Sequence, residues 1–184
     1  VLGQTARQSE ALIANQKVVA LSPQDAEAHG NVGVAFYELG RLEEAIESYT
    51  QAVVAKPDYA EAHNNLGIAL QELGRLKEAE KSFEQAQKLK PNFAEAHNNL
   101  GVTLQELGRL EEAEASFRQA VSLNWNYAEA HNNLGAMLRD LGRLDDAETS
   151  LRQAIELKTD YAEALFNLGS TLKRLGKLDE AQTR

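Results

Sequence analysis

The chain has 184 residues, contains no cysteine and carries a formal net charge of -9 at pH 7. The absence of cysteine excludes a disulfide framework and a thiolate metal site and leaves the compartment open, with the cytoplasm favoured, while no run approaches the roughly 18 apolar residues of a membrane span. The negative charge argues against a nucleic-acid partner, because binding to a phosphate backbone depends on Lys and Arg.

A segment with the sequence AEAHNNLG occurs three times, beginning at Ala60, Ala94 and Ala128, and related segments begin at Ala26 and Ala162. The sequence therefore repeats every 34 residues, and repeats of this length stack on their neighbours and build one extended surface. The period predicts a single array over residues 1–184. Its parts are an incomplete unit at 1–25, whole units at 26–59, 60–93, 94–127 and 128–161, and an incomplete unit at 162–184.

Each unit contains two stretches with apolar residues at helical spacing, which in the second whole unit are 60–73 and 76–89. This spacing predicts two amphipathic helices per unit. Pro57 and Pro91 follow two of the second helices and are expected to end them. A glycine follows each first helix, where a left-handed residue can close the helix end. These glycines are Gly40, Gly74, Gly108, Gly142 and Gly176.

Two further patterns concern helix starts and helix contacts. Capping boxes are predicted to open the next helices at Asp58/Glu61, Asn92/Glu95, Asn126/Glu129 and Asp160/Glu163. Small residues also recur inside the helices, and since glycine weakens an isolated helix by about 1 kcal/mol, close approach of two helices is the expected compensation. The small columns are Gly33, Gly67, Gly101, Gly135 and Gly169, and Ala45, Ala79, Ala113, Ala147 and Ala181.

Several positions hold the same residue types in unit after unit, and in the second whole unit they are His63, Leu66, Gly67, Leu70, Ala79, Phe83, Ala86 and Pro91. These positions resemble the signature of the tetratricopeptide repeat (TPR) family. The departures are local: His stands where the family prefers Trp, Leu151 replaces the aromatic residue, and Trp125 and Thr159 replace the proline. The resemblance covers essentially the whole chain. It implies an all-α, right-handed TPR superhelix (α-solenoid) of stacked helix-turn-helix units, with a concave groove that binds another protein.

Asparagine recurs at one position in every unit, although it is a poor residue for a helix interior. The column is Asn31, Asn65, Asn99, Asn133 and Asn167, partly doubled by the neighbouring Asn64, Asn98 and Asn132. The resemblance implies that this part of the first helix lines the groove, and the arrangement is similar to the asparagine ladder in the TPR superhelix of O-GlcNAc transferases. An amide offers both a donor and an acceptor, so we predict that the column grips the backbone of an extended peptide. The alternative is that the amides bond locally.

A second column expected to face the groove changes character along the chain. It holds Tyr37, Gln71, Gln105, Arg139 and Lys173, beside Glu38, Glu72, Glu106, Asp140 and Arg174. Because the change is from acidic and aromatic to basic, a bound peptide is expected to place acidic residues near the carboxyl-terminal end of the array. The basic half of the clamp by which TPR domains hold chaperone carboxyl termini is missing, so that class of ligand is not expected.

Two other columns have a functional and a structural interpretation. The histidines His29, His63, His97 and His131 are expected to pack against neighbouring helices. Equivalent atoms in successive units lie roughly 8–10 Å apart, whereas two histidine nitrogens on one zinc must lie within about 4 Å. The glutamates Glu27, Glu61, Glu95, Glu129 and Glu163 could form an acidic groove edge, although the capping boxes already account for them. We expect no metal and no cofactor.

The sequence contains no nucleophile elbow and no phosphate loop, and columns of identical groups do not bring unlike groups together as an active site requires. We therefore expect a non-enzymatic module that binds a protein or peptide ligand. Two alternatives stay open: the substrate-recruiting TPR region of a larger enzyme, such as an O-GlcNAc transferase-like glycosyltransferase, and a scaffold that self-assembles end to end. The second depends on an uncapped end formed by Leu172, Leu175, Leu178 and Ala181. The missing initiator Met and the incomplete terminal units lead us to expect a piece of a longer, processed or engineered protein.

Overall fold

The computed structural model describes the backbone of residues 2–176 and the side chains of residues 12–176. Within this range it contains ten α-helices and no β-strand, so the all-α fold class is confirmed. No described helix is long and apolar enough to cross a membrane. The helices are α1 (Leu2–Leu21), α2 (Ala26–Glu38), α3 (Leu42–Ala55), α4 (Ala60–Glu72), α5 (Leu76–Leu89), α6 (Ala94–Glu106), α7 (Leu110–Leu123), α8 (Ala128–Asp140), α9 (Leu144–Leu157) and α10 (Ala162–Arg174).

From α2 onward, a first helix of 13 residues alternates with a second helix of 14 residues. The first helices are α2, α4, α6, α8 and α10, and each of the first four packs mainly against the second helix that follows it. This pair is the helix-turn-helix unit that the 34-residue period predicts. The chain divides into two compact units between Pro91 and Asn92, with α1–α5 in the first and α6–α10 in the second. A single array over 1–184 stays a prediction.

A close contact in four helix pairs joins a glycine of the first helix to a large side chain of the second. A Cβ atom added to Gly67 would lie 2.6 Å from the ring of Phe83. Gly135 approaches Leu151 equally closely, so the contact persists where the aromatic residue is lost. The predicted close approach of the helices is therefore confirmed. Gly169 differs from the other glycines inside the first helices α4, α6, α8 and α10. No described atom lies within 4 Å of a Cβ added to it.

The alanine column lies on the second helices, which pack against the first helices. Its first four members are completely buried. A side chain larger than the methyl group of alanine would therefore not fit at these positions without a shift of the helices. They are Ala45, Ala79, Ala113 and Ala147. The fifth member, Ala181, lies outside the described residues.

Each first helix ends as predicted, at a glycine with a positive φ between 71° and 80°. After α2, the N–H of Gly40 donates to the carbonyl of Tyr37 at 2.9 Å, and the N–H of Arg41 donates to that of Phe36 at 2.9 Å. This pair of hydrogen bonds is the Schellman closure, which satisfies carbonyls that the helix end would leave without partners.

The second helices end at the same position with and without proline. The helix α3 ends two residues before Pro57, and α7 ends two residues before Trp125, whose side chain is 67% exposed. In both cases the backbone turns at the intervening residue, Lys56 or Asn124, in an extended conformation. Proline is therefore compatible with this turn but is not what creates it.

The predicted capping boxes are wrong, because each helix begins one residue later than they require. The residue at the start of α4 is Tyr59, which makes no side-chain capping bond, and its ring packs 3.7 Å from the position of a Cβ on Gly30. Asp25, at the equivalent position of α2, does cap its helix by accepting a first-turn N–H at 3.0 Å. The pairs that do not form boxes are Asp58/Glu61, Asn92/Glu95, Asn126/Glu129 and Asp160/Glu163.

The carboxyl-terminal end expected to be open is partly covered. Leu172 is 2% exposed and belongs to a buried cluster with Leu151 and Leu168, so its assignment to an uncapped end is wrong. The preceding repeat covers it. Leu175 is partly buried, and Leu178 lies outside the described residues, as does Ala181. End-to-end association stays a prediction.

Replacing Gly67 by alanine is expected to lower the free energy of unfolding by about 1–3 kcal/mol, because the new methyl group overlaps the ring of Phe83. The matched control is Gly169→Ala, the same change in a first helix where no described atom lies within 4 Å. It should raise stability by up to about 1 kcal/mol through helix propensity. Urea unfolding followed by circular dichroism compares both variants with the parent. Equal losses in the two would contradict the steric explanation.

Candidate functional site

The first helices of successive repeats contact each other within each compact unit, α2 with α4 in the first and α8 with α6 and α10 in the second. We call the surface that the first helices share within each unit the first-helix face of that unit. All predicted site residues lie on these helices. One of its columns is exposed at every position, namely Glu38, Glu72, Glu106, Asp140 and Arg174.

The main asparagine column changes from exposed to buried along the chain. Asn31 is exposed, Asn65, Asn99 and Asn133 are partly exposed, and Asn167 is only 7% exposed. Four of the five amides therefore reach solvent on the first-helix face. A ligand on this face could contact them.

The neighbouring asparagine column points into the protein. Its members are buried, with exposed fractions of 6% for Asn64 and 0% for Asn98 and Asn132. This burial argues against direct peptide contact by Asn98 and Asn132. In the structure their amides bind other side chains, and a direct contact with a peptide stays a prediction.

The buried amides join neighbouring first helices of the second unit. Asn132 accepts a hydrogen bond from Asn167 at 2.9 Å and donates one to Glu163 at 3.0 Å. One repeat earlier, Asn98 accepts a hydrogen bond from Asn133 at 3.0 Å. Local bonding, the structural alternative to a ligand role, therefore occurs at these four asparagines. At Asn133 it uses one N–H of the amide and leaves the side chain partly exposed.

The glutamate column supplies hydrogen-bond acceptors both between repeats and within one repeat. Glu129 accepts a hydrogen bond from Asn98 at 3.2 Å. In the first unit, Glu61 accepts one from the ammonium of Lys90 at 2.8 Å, and this hydrogen bond is the main reason why the pKa of Glu61 lies below its ordinary value. These contacts replace the capping role that the sequence predicts.

The arginine of the second predicted column is held within the protein. Arg139 donates from Nη1 to the amide oxygen of Asn167 at 2.8 Å and from Nε to the carboxylate of Asp140 at 3.0 Å. Its carbonyl accepts a hydrogen bond from Arg174 at 2.7 Å. With its side chain only 19% exposed, Arg139 fills space between α8 and α10.

The other members of this column stay closer to solvent. Gln71 and Gln105 are partly exposed, and Lys173 is exposed. The hydroxyl of Tyr37 donates a hydrogen bond to Glu72. Burial, with a further contribution from this hydrogen bond, raises the pKa of Tyr37 to about 12, so the hydroxyl keeps its proton at neutral pH.

A cavity of about 260 Å³ opens on the first-helix face of the first unit. The residues that line it come from α2, α3 and α4, and most of its wall is apolar. They are Val34, Tyr37, Glu38, Tyr49, Asn65 and Ile68. Sequence reasoning missed this cavity, because the columns show which positions share a face but not where the side chains leave space.

The histidines hold the loop before each first helix against that helix. In three repeats Nε2 lies 3.0–3.1 Å from a backbone carbonyl six residues earlier, and since a carbonyl only accepts, Nε2 carries the hydrogen and donates it. The pairs are His29 with Pro23, His63 with Pro57 and His131 with Trp125. This geometry agrees with a structural role. Within the described residues, no three His, Asp or Glu side chains come together as a metal site would require.

A column of aromatic residues directly before the first helices was not identified from the sequence. Tyr127 lies with its hydroxyl 3.4 Å from the amide nitrogen of Asn98, so the column helps to bury the asparagine of the preceding repeat. The available signal was the aromatic residue directly before the AEA segment in four repeats. These residues are Tyr59, Phe93, Tyr127 and Tyr161.

Comparison with protein-family models gives one family over nearly the whole chain. The model for the C-terminal TPR domain of cilia and flagella-associated protein 70 matches residues 2–184. A search of curated protein sequences found no match.

Solved structures similar to this chain are TPR proteins. MamA aligns with a TM-score of 0.77 at 24% identity, over 87% of this chain and 94% of its own. YrrB, described as a TPR protein with an unusual peptide-binding site, aligns with a TM-score of 0.74 at 26% identity, over 91% of this chain and 87% of its own. PilF of Pseudomonas aeruginosa aligns with a TM-score of 0.88 at 22% identity, over 98% of this chain and 82% of its own. The fold agreement supports the repeat assignment.

Asn132→Ala is expected to lower the free energy of unfolding by about 1–3 kcal/mol, because the buried amide of Asn167 and the carboxylate of Glu163 lose a partner. Asn92→Ala, in an exposed loop, serves as the control and should change stability little. Urea unfolding measures both. A loss no larger than that of the control would show that the buried amide links contribute little.

Stability should also depend on pH through His131. Burial holds the pKa of His131 below its ordinary value of 6.5, so the unfolded chain binds more protons than the folded chain in this range. The resulting stability is complete above pH 6.5 and is lost as the pH falls through the folded-state pKa. Unfolding at about pH 8 and about pH 5 measures the slope. His131→Leu, which introduces the residue found at the equivalent Leu165, should reduce that slope, and an unchanged slope would assign the pH dependence to other groups.

Proposed function

Because this chain belongs to the TPR family represented by the C-terminal domain of cilia and flagella-associated protein 70, we propose that it binds an extended peptide segment of another protein on its first-helix face. The ligand is captured noncovalently. The fold is that of protein-interaction modules, and no chemical step is assigned to the chain.

The observation that carries this proposal is the partial exposure of the main asparagine column. Asn65 in the first unit and Asn99 and Asn133 in the second all reach solvent on the first-helix face. An amide has two N–H donors and an oxygen with two lone pairs. Asn133 can therefore hold Asn98 with one N–H and still offer a second N–H to a ligand.

The surroundings of these asparagines suit a main chain rather than one small molecule. Equivalent side chains of packed helices lie roughly 8–10 Å apart, which corresponds to about three residues of an extended peptide at about 3.3 Å each. Gln71 and Gln105 extend the same amide chemistry along the face. Each amide hydrogen bond contributes about 0.5–1.5 kcal/mol, so affinity grows with the number of repeats engaged, and micromolar binding is expected.

Two further features support the choice of ligand. YrrB, the TPR protein described by its peptide-binding site, shares 26% of its residues with this chain over most of both lengths. The exposed Lys173 and Arg174 at the end of α10 favour acidic residues in the part of the peptide that lies there.

Replacing Asn65, Asn99 and Asn133 together by alanine is expected to weaken peptide binding by at least about tenfold, since the partly exposed amides of both units are then lost, whichever unit holds the peptide. A random peptide display library identifies ligands of the parent protein, and calorimetry then compares the parent with the variant. The control is Asn92→Ala/Asn126→Ala, which removes two amides from exposed loops. Circular dichroism and melting temperature establish that both variants are folded.

Selected peptides that bind the parent and the control but not the triple variant would support the proposal. Peptides that bind all three proteins alike would assign the asparagine column to structure alone. A library that yields no ligand would remove peptide capture as the function of this chain.

A further inference from the structure

The cavity of the first unit combines an apolar wall with two hydrogen-bond acceptors. Val34 and Ile68 and the ring of Tyr49 supply apolar surface, while Asn65 and Glu38 supply an amide oxygen and a carboxylate. Within the described residues, no hydrogen bond of the Asn65 side chain is found. The cavity therefore offers groups suited to a side chain with a long apolar stem and a positively charged, hydrogen-bonding end.

In the second unit, the equivalent amide and carboxylate bind an arginine side chain of the protein itself. The positions equivalent to Tyr37, Glu38 and Asn65, three 34-residue periods later, are Arg139, Asp140 and Asn167. There the guanidinium of the arginine lies between an amide oxygen at 2.8 Å and a carboxylate at 3.0 Å. In the first unit the same acceptors are present, but the column residue is a tyrosine whose hydroxyl is bound to Glu72 instead.

We propose that the cavity between α2 and α4 is a pocket for one arginine side chain of the bound peptide. Its guanidinium would donate to the amide oxygen of Asn65 and to the carboxylate of Glu38, as Arg139 does to its own partners. The stem of the arginine would lie along Val34 and Ile68. This inference rests on the proposed function, because the arginine belongs to the captured peptide.

The charge of this region favours a cation. The repeat 26–59 contains two Lys or Arg and six Asp or Glu residues, a balance of 2 - 6 = -4. Of the two cations, Arg41 pairs with Glu44 at 2.6 Å, and Lys56 lies over the ring of Tyr59 at 5.1 Å. Neither of them lines the cavity.

Arginine fits the two acceptors better than lysine does. The guanidinium is planar and presents donors in fixed directions, so it can bond an amide and a carboxylate together, and its flat face packs on aromatic rings. A lysine ammonium is a compact, strongly hydrated charge. Peptides that bind the pocket are therefore expected to weaken by about tenfold when the arginine is changed to lysine.

The test begins with the peptides selected from the display library by the parent protein. The pocket predicts an arginine at a fixed position among them. Glu38→Gln should weaken the arginine peptide by about tenfold, and it should not affect the same peptide with leucine in place of the arginine. Asn65→Leu should weaken the arginine peptide by about tenfold more than it weakens the leucine peptide, because the contact of Asn65 with the peptide backbone is lost for both. Asp58→Asn, which makes the same charge change in an exposed loop, is the control.

Tyr37→Arg tests the pocket in a different way, because it keeps both hydrogen-bond acceptors, Glu38 and Asn65, and blocks the space between them. The new side chain should occupy the pocket from within, in the manner of Arg139, and exclude the arginine peptide while the protein stays folded. Asn65→Asp should retain binding, because a carboxylate still accepts the hydrogen bond. If Tyr37→Arg binds the arginine peptide as well as the parent does, the pocket is not the site of the arginine.

A second measurement separates this inference from the proposed function. Acetyl-arginine amide, with acetyl-lysine amide as its matched probe, is titrated into protein labelled with ¹⁵N, and the side-chain amide signal of Asn65 is followed. A shift produced by the arginine probe and lost in Glu38→Gln supports the pocket even if the library yields no peptide. No shift overturns it. Selected peptides without a preferred arginine, or insensitive to Glu38→Gln, overturn the pocket and leave peptide capture in place.

Discussion

The contact between a glycine of each first helix and a large side chain of the second is the constraint on which each repeat depends. At 2.6 Å from the position of a Cβ atom to the ring of Phe83 or to Leu151, the two helices have no room to shift. Fully buried alanines such as Ala79 and Ala147 show that the second helix is also tightly packed. Because this contact recurs at Gly33, Gly67, Gly101 and Gly135, corresponding positions of these four repeats occupy equivalent places within the helix pair, while their exposure also depends on the neighbouring repeat. That is why the columns are physically meaningful.

Buried polar groups provide the second level of organisation. Amides and carboxylates removed from water need partners, and Asn132 finds them in the following repeat, at Asn167 and Glu163. Such a bond forms only when two first helices are in the correct register. The cost of asparagine in a helix interior is thereby offset by hydrogen bonds between repeats. One residue type serves two purposes, since Asn65 remains at the surface while Asn132 is completely buried.

Most of the fold could be predicted from the sequence because it depends on patterns among residues that are close together in the chain. The period, the left-handed Gly40 and the tight contact at Gly67 each follow from local patterns. The helix starts could not be predicted as well, because the Tyr59 ring packs on α2, and this contact, rather than Asp58, determines the first residue of α4. Capping rules consider one helix at a time and do not include such packing.

The candidate site was less predictable for the same reason. Asn64 and Asn65 are adjacent in sequence and chemically identical, yet the first is buried and the second is partly exposed. The neighbouring repeat decides between them, and no pattern within one helix contains that information. Likewise, Arg139 was expected to face a ligand, but its hydrogen bonds to Asn167 and Asp140 depend on where three side chains meet in space.

One of the two turns in which proline is replaced, the turn at Trp125, gives the protein a natural optical marker. Trp125 is the single tryptophan of the chain, it is largely exposed, and its carbonyl is held by His131 at the start of α8. Its emission therefore originates in the second compact unit alone, whereas the far-ultraviolet signal of the helices is summed over both. Coincidence or separation of the two signals during denaturation distinguishes a chain that melts as one cooperative body from one whose halves melt in sequence.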